Sequence, residues 1–153
     1  MSETSATDTI LVVDPDIDFL DWVTKHLAAD DVRILRCDNA ANAIKVLEKT
    51  DVSLVVASME LVPFDGMELL GRVLIQSPQT LVVLTAGFPT TGQIIEATQR
   101  GAHDVLRKES LPFELRPVIE AALQTRDDRR RASSNNQELP QADGRVKMIG
   151  ISR

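Results

Sequence analysis

Four polar residues stand at the ends of apolar runs in this sequence, where the strands of a sheet would end. They are Asp14, Ser58, Thr85 and Lys108. A carboxylate, two hydroxyls and an ammonium in one cleft would form a polar binding site. It would contain no nucleophile–base pair, because His26 falls within a predicted helix and His103 precedes a predicted strand. The plain alternative is that strand ends are simply polar.

The apolar runs alternate with segments of helical periodicity. Strands are predicted at Thr9–Val13, Val32–Cys37, Val52–Ser58, Leu81–Leu84 and Val105–Leu106. Helices are predicted at Pro15–Ala29, from Asn39 onward, at Gly66–Gln76, from Thr90 or Thr91 to Arg100, and from about Pro112. Five strands alternating with helices predict an α/β fold, a doubly wound parallel sheet with helices on both faces. Ligands of such sheets bind beyond the carboxyl ends of the strands, so the four polar side chains are expected to converge.

Composition excludes several classes of function. The 153 residues carry a net charge of −6, which opposes general affinity for nucleic acid or an anionic membrane. A single cysteine, Cys37, rules out an internal disulfide and suits a reducing cytosol. Neither a signal peptide nor a membrane span is evident in the sequence. We therefore expect a cytoplasmic protein.

The change of composition along the chain predicts four parts. Residues 1–8 are polar and are expected to be disordered, and residues 9–125 form the α/β domain. Residues 126–145, rich in charge and then in Ser, Asn, Gln and Pro, are predicted to be a polar linker. The apolar pattern returns in residues 146–153, which we interpret as the start of a truncated downstream domain. The run Arg129–Arg131 lies next to Asp127 and Asp128, so a solvated helix end is favoured over a nucleic-acid site.

The domain resembles the receiver domains of bacterial two-component response regulators, the CheY-like family. The resemblance extends from about Thr9 to Gln124 and rests on Ile10–Asp14, Asp65-Gly66, Leu84-Thr85-Ala86, Gly101-Ala102 and Lys108. It implies the flavodoxin-like strand order 2-1-3-4-5. It also implies an acidic pair after strand one that binds Mg²⁺ and an aspartate after strand three that accepts a phosphoryl group. A hydroxyl after strand four and a lysine after strand five would contact that group, and an aromatic residue in strand five would change rotamer on activation.

Several of these positions depart from the family pattern. The acceptor position falls on Ser58, the second metal-binding acid is replaced by Pro15, and the aromatic position is Val105. Only Asp14, Thr85 and Lys108 match. An unactivated serine is a weak nucleophile, and one carboxylate offers Mg²⁺ few of the oxygen ligands that it requires. We therefore expect no cofactor, weak or absent Mg²⁺ binding, and no enzymatic activity.

Two further expectations concern charges at this site. Without an acidic cluster to face, Lys108 is predicted to form an ion pair with Asp14. Glu60 lies two residues beyond Ser58, and its carboxylate would imitate a permanently charged acceptor if it folded in toward Lys108 and Thr85. An exposed loop glutamate is the favoured alternative.

The sequence thus predicts a pseudo-receiver that regulates a downstream output domain by protein–protein contacts. Residues 146–153 resemble the opening of the ATPase domain of σ54-dependent transcription activators. The resemblance of the α/β domain to receiver domains implies homodimerisation through the fourth helix, fifth strand and last helix, and a sensor kinase or another regulatory protein as a further partner. No direct contact with nucleic acid or a membrane is expected of this domain.

Two other classes of function stay open. One is a phosphorylatable receiver with an atypical acceptor. The other is a flavodoxin-like binder of nucleotides or small molecules, for which the glycine- and threonine-rich segment 87–92 would cradle a phosphate. The second is disfavoured because such phosphate loops follow strand one, where Asp14 and Asp16 would repel a phosphate.

Overall fold

The computed structural model describes residues 7–28 and 31–138, with side chains described through residue 133. The strands are β1 (Asp8–Val13), β2 (Val32–Cys37), β3 (Leu54–Ser58), β4 (Leu81–Ala86) and β5 (Asp104–Arg107). The helices are α1 (Ile17–His26), α2 (Ala40–Lys49), α3 (Gly66–Gln76), α4 (Thr91–Gln99) and α5 (Leu111–Glu138). A short 3₁₀ turn, Lys108–Ser110, joins β5 to α5.

All neighbouring strands are parallel, and their order is β2-β1-β3-β4-β5. The predicted doubly wound α/β sheet and its strand order are therefore confirmed. Because the strands are parallel, their carboxyl ends all lie at the same end of the sheet, which we call its carboxyl edge, and Ser58 is the register partner of Thr85 there. The candidate site lies at this carboxyl edge.

Alternate strand residues face opposite layers of helices, as the pleat of a strand requires. On one face Leu11, Val55 and Val82 belong to a buried cluster with residues of α2, α3 and α4. On the other face Ile10, Val56 and Val83 belong to a second cluster with residues of α1 and α5. The central strands are apolar on both faces because each face is covered by helices.

Helix starts follow the local capping chemistry of the sequence. The Asp65 side chain accepts the N–H of Glu68 at 2.9 Å, and that of Asn39 accepts the N–H of Asn42 at 2.8 Å. Thr90 and Gln93 form a reciprocal capping box, which decides between the two threonines predicted to begin α4. Helix α1 begins later than predicted, at Ile17, because Asp16 is its cap and accepts the N–H groups of Asp18 and Phe19.

Two predicted boundaries are wrong where the structure describes them. Asp8 belongs to β1, so ordered structure begins before residue 9, while residues 1–6 lie outside the described residues. The predicted linker from residue 126 continues as helix α5 to Glu138. Within this stretch Asp127 pairs with Arg130 and Arg131 one turn further on, and such pairs support a helix that lacks an apolar face. Residues 139–153, including the proposed downstream start at 146–153, lie outside the described residues.

A search of the described helices for a membrane-crossing segment finds none with the necessary length and hydropathy.

Candidate functional site

Asp14 is the charged centre of the strand-end site. It follows β1 and is fully buried, and its backbone N–H donates to the carbonyl of Cys37. Its Oδ1 atom accepts the N–H of Asp16 at 2.9 Å. Its Oδ2 atom lies 2.7 Å from Lys108 Nζ, in an ion pair rather than an aligned hydrogen bond. Both carboxylate oxygens are thus engaged within the chain, and the predicted pair with Lys108 is confirmed.

Two interactions fix the position of the Lys108 ammonium group. Its position in the turn directly after β5 brings Nζ to Asp14, and the same atom lies 4.5 Å from the centroid of the Phe19 ring. A cation over an aromatic face is attracted by the ring's quadrupole. Phe19 was not singled out by sequence reasoning. Its place in the first turn of α1, five residues after Asp14, was the available signal.

Ser58 ends β3 and is 4% exposed. Its Oγ atom accepts the backbone N–H of Glu60 at 3.0 Å, so the hydroxyl stabilises the turn that leaves the strand. No histidine stands beside it as a base. His26 lies at the far end of α1 with its ring stacked on Trp22, and His103 precedes β5.

Thr85 lies beside Ser58 on β4 and is 1% exposed. Its Oγ1 atom has no hydrogen-bond partner among the residues that the structure describes. A buried hydroxyl without a partner costs free energy unless water or a ligand satisfies it. Among the described residues, Thr85 Oγ1 and Asp14 Oδ2 are the two buried side-chain atoms without a hydrogen-bond partner, and only Asp14 Oδ2 has an ion-pair partner.

The other predicted site residues do not join this group. Pro15 is exposed in the loop after β1, and Val105 is partly buried against the core. Glu60 is exposed, and within the described ranges it takes part in no ion pair. Lys108 contacts Asp14 instead, so the structure shows the exposed alternative for Glu60 and not the acceptor-like conformation.

The residues at this edge do not fit a Mg²⁺ ion. Asp14 is the only buried carboxylate among the described residues, and one of its oxygens already faces an ammonium group. Pro15 contributes no side-chain oxygen, and the carboxylate of Asp16 caps α1. Nowhere in residues 7–28 and 31–138 do three or more His, Cys, Asp or Glu side chains group as metal ligands. Mg²⁺ prefers near-octahedral oxygen coordination, usually with carboxylates, and this donor set does not supply it.

A doubly wound sheet with an Asp, a Thr and a Lys at its carboxyl edge is the arrangement that the resemblance to receiver domains implied. The family model of the response regulator receiver domain matches residues 10–120. The chain belongs to this family, and the domain is a receiver domain of the two-component response regulators.

Individual relatives and solved structures agree with this assignment. The chain is 25% identical over 114 residues to the chemotaxis protein CheY of Listeria monocytogenes, covering 73% of this chain and 92% of the relative. It is 28% identical over 111 residues to the response regulator protein FleR of Pseudomonas aeruginosa, covering 72% of this chain but only 23% of FleR. The solved signal receiver domain of an HD domain-containing protein from Pseudomonas fluorescens Pf-5 superposes with a TM-score of 0.79 at 26% identity. That superposition covers 86% of this chain and 97% of the solved one.

Proposed function

We propose that this chain is a pseudo-receiver, which regulates an attached output domain through protein–protein contacts and does not accept a phosphoryl group. The observation that carries the proposal is the state of the strand-end site. Its buried carboxylate, Asp14, is paired with Lys108 at 2.7 Å, and the residue that ends β3 is the buried Ser58.

The chemistry of phosphoryl transfer supports this proposal. Transfer to a side chain needs a nucleophile in line with the donor and positive charge, usually a divalent cation, on the phosphoryl oxygens. Neither histidine stands beside Ser58, the neighbouring carboxylate of Asp14 is paired with Lys108, and the Ser58 hydroxyl oxygen accepts the N–H of Glu60. The ammonium of Lys108 takes the place beside Asp14 that a metal ion would otherwise need. The ion pair of Asp14 with Lys108 thus neutralises the site without a metal ion.

The output of the proposed pseudo-receiver is transcriptional. Several longer relatives bear such names, including the transcriptional regulatory protein GlrR of Escherichia coli and the C4-dicarboxylate transport transcriptional regulatory protein DctD of Rhizobium meliloti. The chain spans 26% and 28% of these two relatives, respectively. The resemblance of residues 146–153 to the opening of an ATPase domain adds that the output is of the σ54-activator class.

The proposed contacts follow from this role. The partner within the protein is the output domain, which α5 leads toward. A second copy of the chain would pack on the surface of α4, β5 and α5, where Ile95 and Phe113 are exposed apolar side chains. A sensor kinase or another regulatory protein would be the upstream partner, and the protein would work in the cytoplasm.

A titration with Mg²⁺, with and without beryllofluoride as a phosphoryl mimic, tests the proposal by amide NMR spectra. We expect the signals of Ser58, Thr85 and Lys108 to stay in place. Saturable shifts that spread to α5 would contradict the proposal and identify a phosphorylatable receiver with an atypical acceptor. A rise in melting temperature with nucleotides alone would instead favour the small-molecule class.

A gain-of-function variant serves as the matched control. The double substitution Pro15→Asp with Ser58→Asp restores two carboxylates beside Asp14. Because Mg²⁺ then has three carboxylates to bind, we expect this variant to respond to beryllofluoride where the natural sequence does not. If neither protein responds to beryllofluoride although the variant binds Mg²⁺, the missing carboxylates are not the reason why the domain fails to accept a phosphoryl group, and our chemical explanation is wrong.

A further inference from the structure

Three arginines of α5 line a small cavity on the side of the domain opposite the strand-end site. The cavity has a volume of about 110 Å³ and is lined by Pro78, Gln79, Arg126, Arg129 and Arg130. Gln79 precedes β4, so the cavity lies at the edge where the strands begin. The sequence feature that produced it, the arginine-rich run at the end of the domain, has no part in the function proposed above.

Arg126 is a buried charge with incomplete compensation. Its side chain is 7% exposed, and its Nε atom donates to the carbonyl of Gln79 at 3.1 Å. Its acidic neighbour is Asp51, but that contact is 3.5 Å long and the Asp51 side chain is 90% exposed. A charge removed from water needs a close counter-charge, and a neutral carbonyl with a distant, hydrated carboxylate supplies little of it.

The two other arginines add to the same positive field. Arg126, Arg129 and Arg130 are spaced i, i+3 and i+4 and therefore share one face of α5. Arg129 forms no ion pair in the described part of the chain, and Arg130 shares the single carboxylate of Asp127 with Arg131. Like charges at this spacing repel one another and destabilise a helix. An anion in the cavity would reverse that effect.

We propose that this cavity binds a phosphate group non-covalently. Planar guanidinium groups with several N–H donors match the oxygens of a phosphate, and charge-assisted hydrogen bonds of this kind are the strong ones. The cavity volume of about 110 Å³ is several times the ~10–15 Å³ that a cavity needs to hold one water molecule, which leaves room for a phosphate group. Three positive groups around one cavity match the charge of a dianion better than they match the charge of a single carboxylate.

A bound phosphate would link two parts of the chain. It would join the loop at Pro78–Gln79 to the segment of α5 that extends beyond the domain core. The direction of that segment would then depend on the ligand. This site needs neither Ser58 nor Mg²⁺, so the proposal stands or falls separately from the pseudo-receiver proposal.

A titration of the whole chain with inorganic phosphate at constant ionic strength, set with sodium chloride, tests the site. We expect saturable shifts of the Nε–H signals of Arg126 and Arg129 and of the Gln79 amide in NMR spectra. Adenosine monophosphate, titrated in parallel, distinguishes a phosphate ester from the free ion, and saturation with either probe supports the site. Linear shifts with both probes, or shifts centred on Thr85 and Lys108, would overturn the proposal.

Two charge-matched variants complete the test. Arg129→Gln removes an arginine that lines the cavity and should weaken phosphate binding by about tenfold or more, the effect of one charge-assisted hydrogen bond. Arg131→Gln removes the same charge from the same helix outside the cavity and should bind phosphate as the natural sequence does. Equal weakening in both variants would show general charge attraction and overturn the proposal.

Discussion

Lys108 places its ammonium 2.7 Å from the fully buried carboxylate of Asp14, across the carboxyl edge of the sheet. The side chain of Lys108 is one-third exposed (33%), so water reaches one member of the pair and not the other. The chain therefore neutralises its buried acid with an internal cation. This relationship determines which substitutions the site tolerates, because removing one partner leaves the other charge without compensation and is more destabilising than removing both.

Replacement of Lys108 by Met should lower the free energy of unfolding by about 1–3 kcal/mol, because it leaves Asp14 buried without a counter-charge. The partial exposure of Lys108 keeps the value below that of a fully buried pair. Urea unfolding followed by the fluorescence of Trp22, the only tryptophan of the chain, measures the change.

The double variant Asp14→Asn with Lys108→Met provides the control for that experiment. It should be more stable than Lys108→Met alone, since the uncompensated charge has been removed. Additive effects of the two substitutions would show that the ion pair contributes no coupling energy.

Phe19→Leu should remove the cation–π contact with the Lys108 ammonium, because the aromatic ring whose centroid lies 4.5 Å from Nζ is lost. The expected loss of unfolding free energy is about 0.5–1 kcal/mol from the cation–π contact, in addition to the smaller apolar area. Phe19→Tyr retains the ring and is the matched control. If Leu and Tyr variants are equally stable, the aromatic face does not contribute.

Gly66→Ala should disturb the joint between β3 and α3. A Cβ atom at this position would lie 2.3 Å from the carbonyl oxygen of Ser58 and 2.7 Å from the Cα atom of Met59, and both are backbone atoms that cannot turn aside. We expect a loss of about 1–3 kcal/mol, as for overpacking elsewhere, measured by urea unfolding.

Gly71→Ala in the same helix is the matched control. Apart from its chain neighbours and the backbone of α3 itself, no described atom lies within 4 Å of a Cβ atom built there, so the substitution should stabilise α3 by about 0.5–1 kcal/mol through helix propensity alone. Equal effects of the two substitutions would contradict the close approach at Gly66.

The free energy of unfolding should fall at alkaline pH because the buried thiol of Cys37 resists ionisation in the folded state. Burial, and to a smaller extent the negative charge of Asp38, raises the pKa of this thiol from 9.0 to about 11. Between these two values the unfolded thiol loses its proton while the folded one retains it, so unfolding becomes more favourable as pH rises. Unfolding free energies measured from pH 8 to 11 should show this slope, and Cys37→Ala should lose that component of it.

Local patterns in the sequence were sufficient to predict the elements of the fold. The bounds of β2 and α3 were predicted as they occur, because Gly66 and its cap Asp65 mark a helix start and the apolar residues repeat with a clear period. The end of α5 was not predictable from apolar periodicity. Its C-terminal part is supported by polar contacts, such as the ion pair of Asp127 with Arg131 and the hydrogen bond from Arg126 to Gln79. Contacts of this kind do not appear in the sequence as a repeat of apolar residues.

The sequence by itself determined which residue types stand at the strand ends, and hence that Asp14 and Lys108 would meet while Ser58 replaces an acid. Parallel strands bring their ends to one edge whatever the details of packing. Only the tertiary structure decided that Phe19 covers Lys108 and that Arg126 reaches Gln79. Periodicity reports which face of an element is buried, but not which residues of distant elements touch, because that depends on how the helices pack on the sheet.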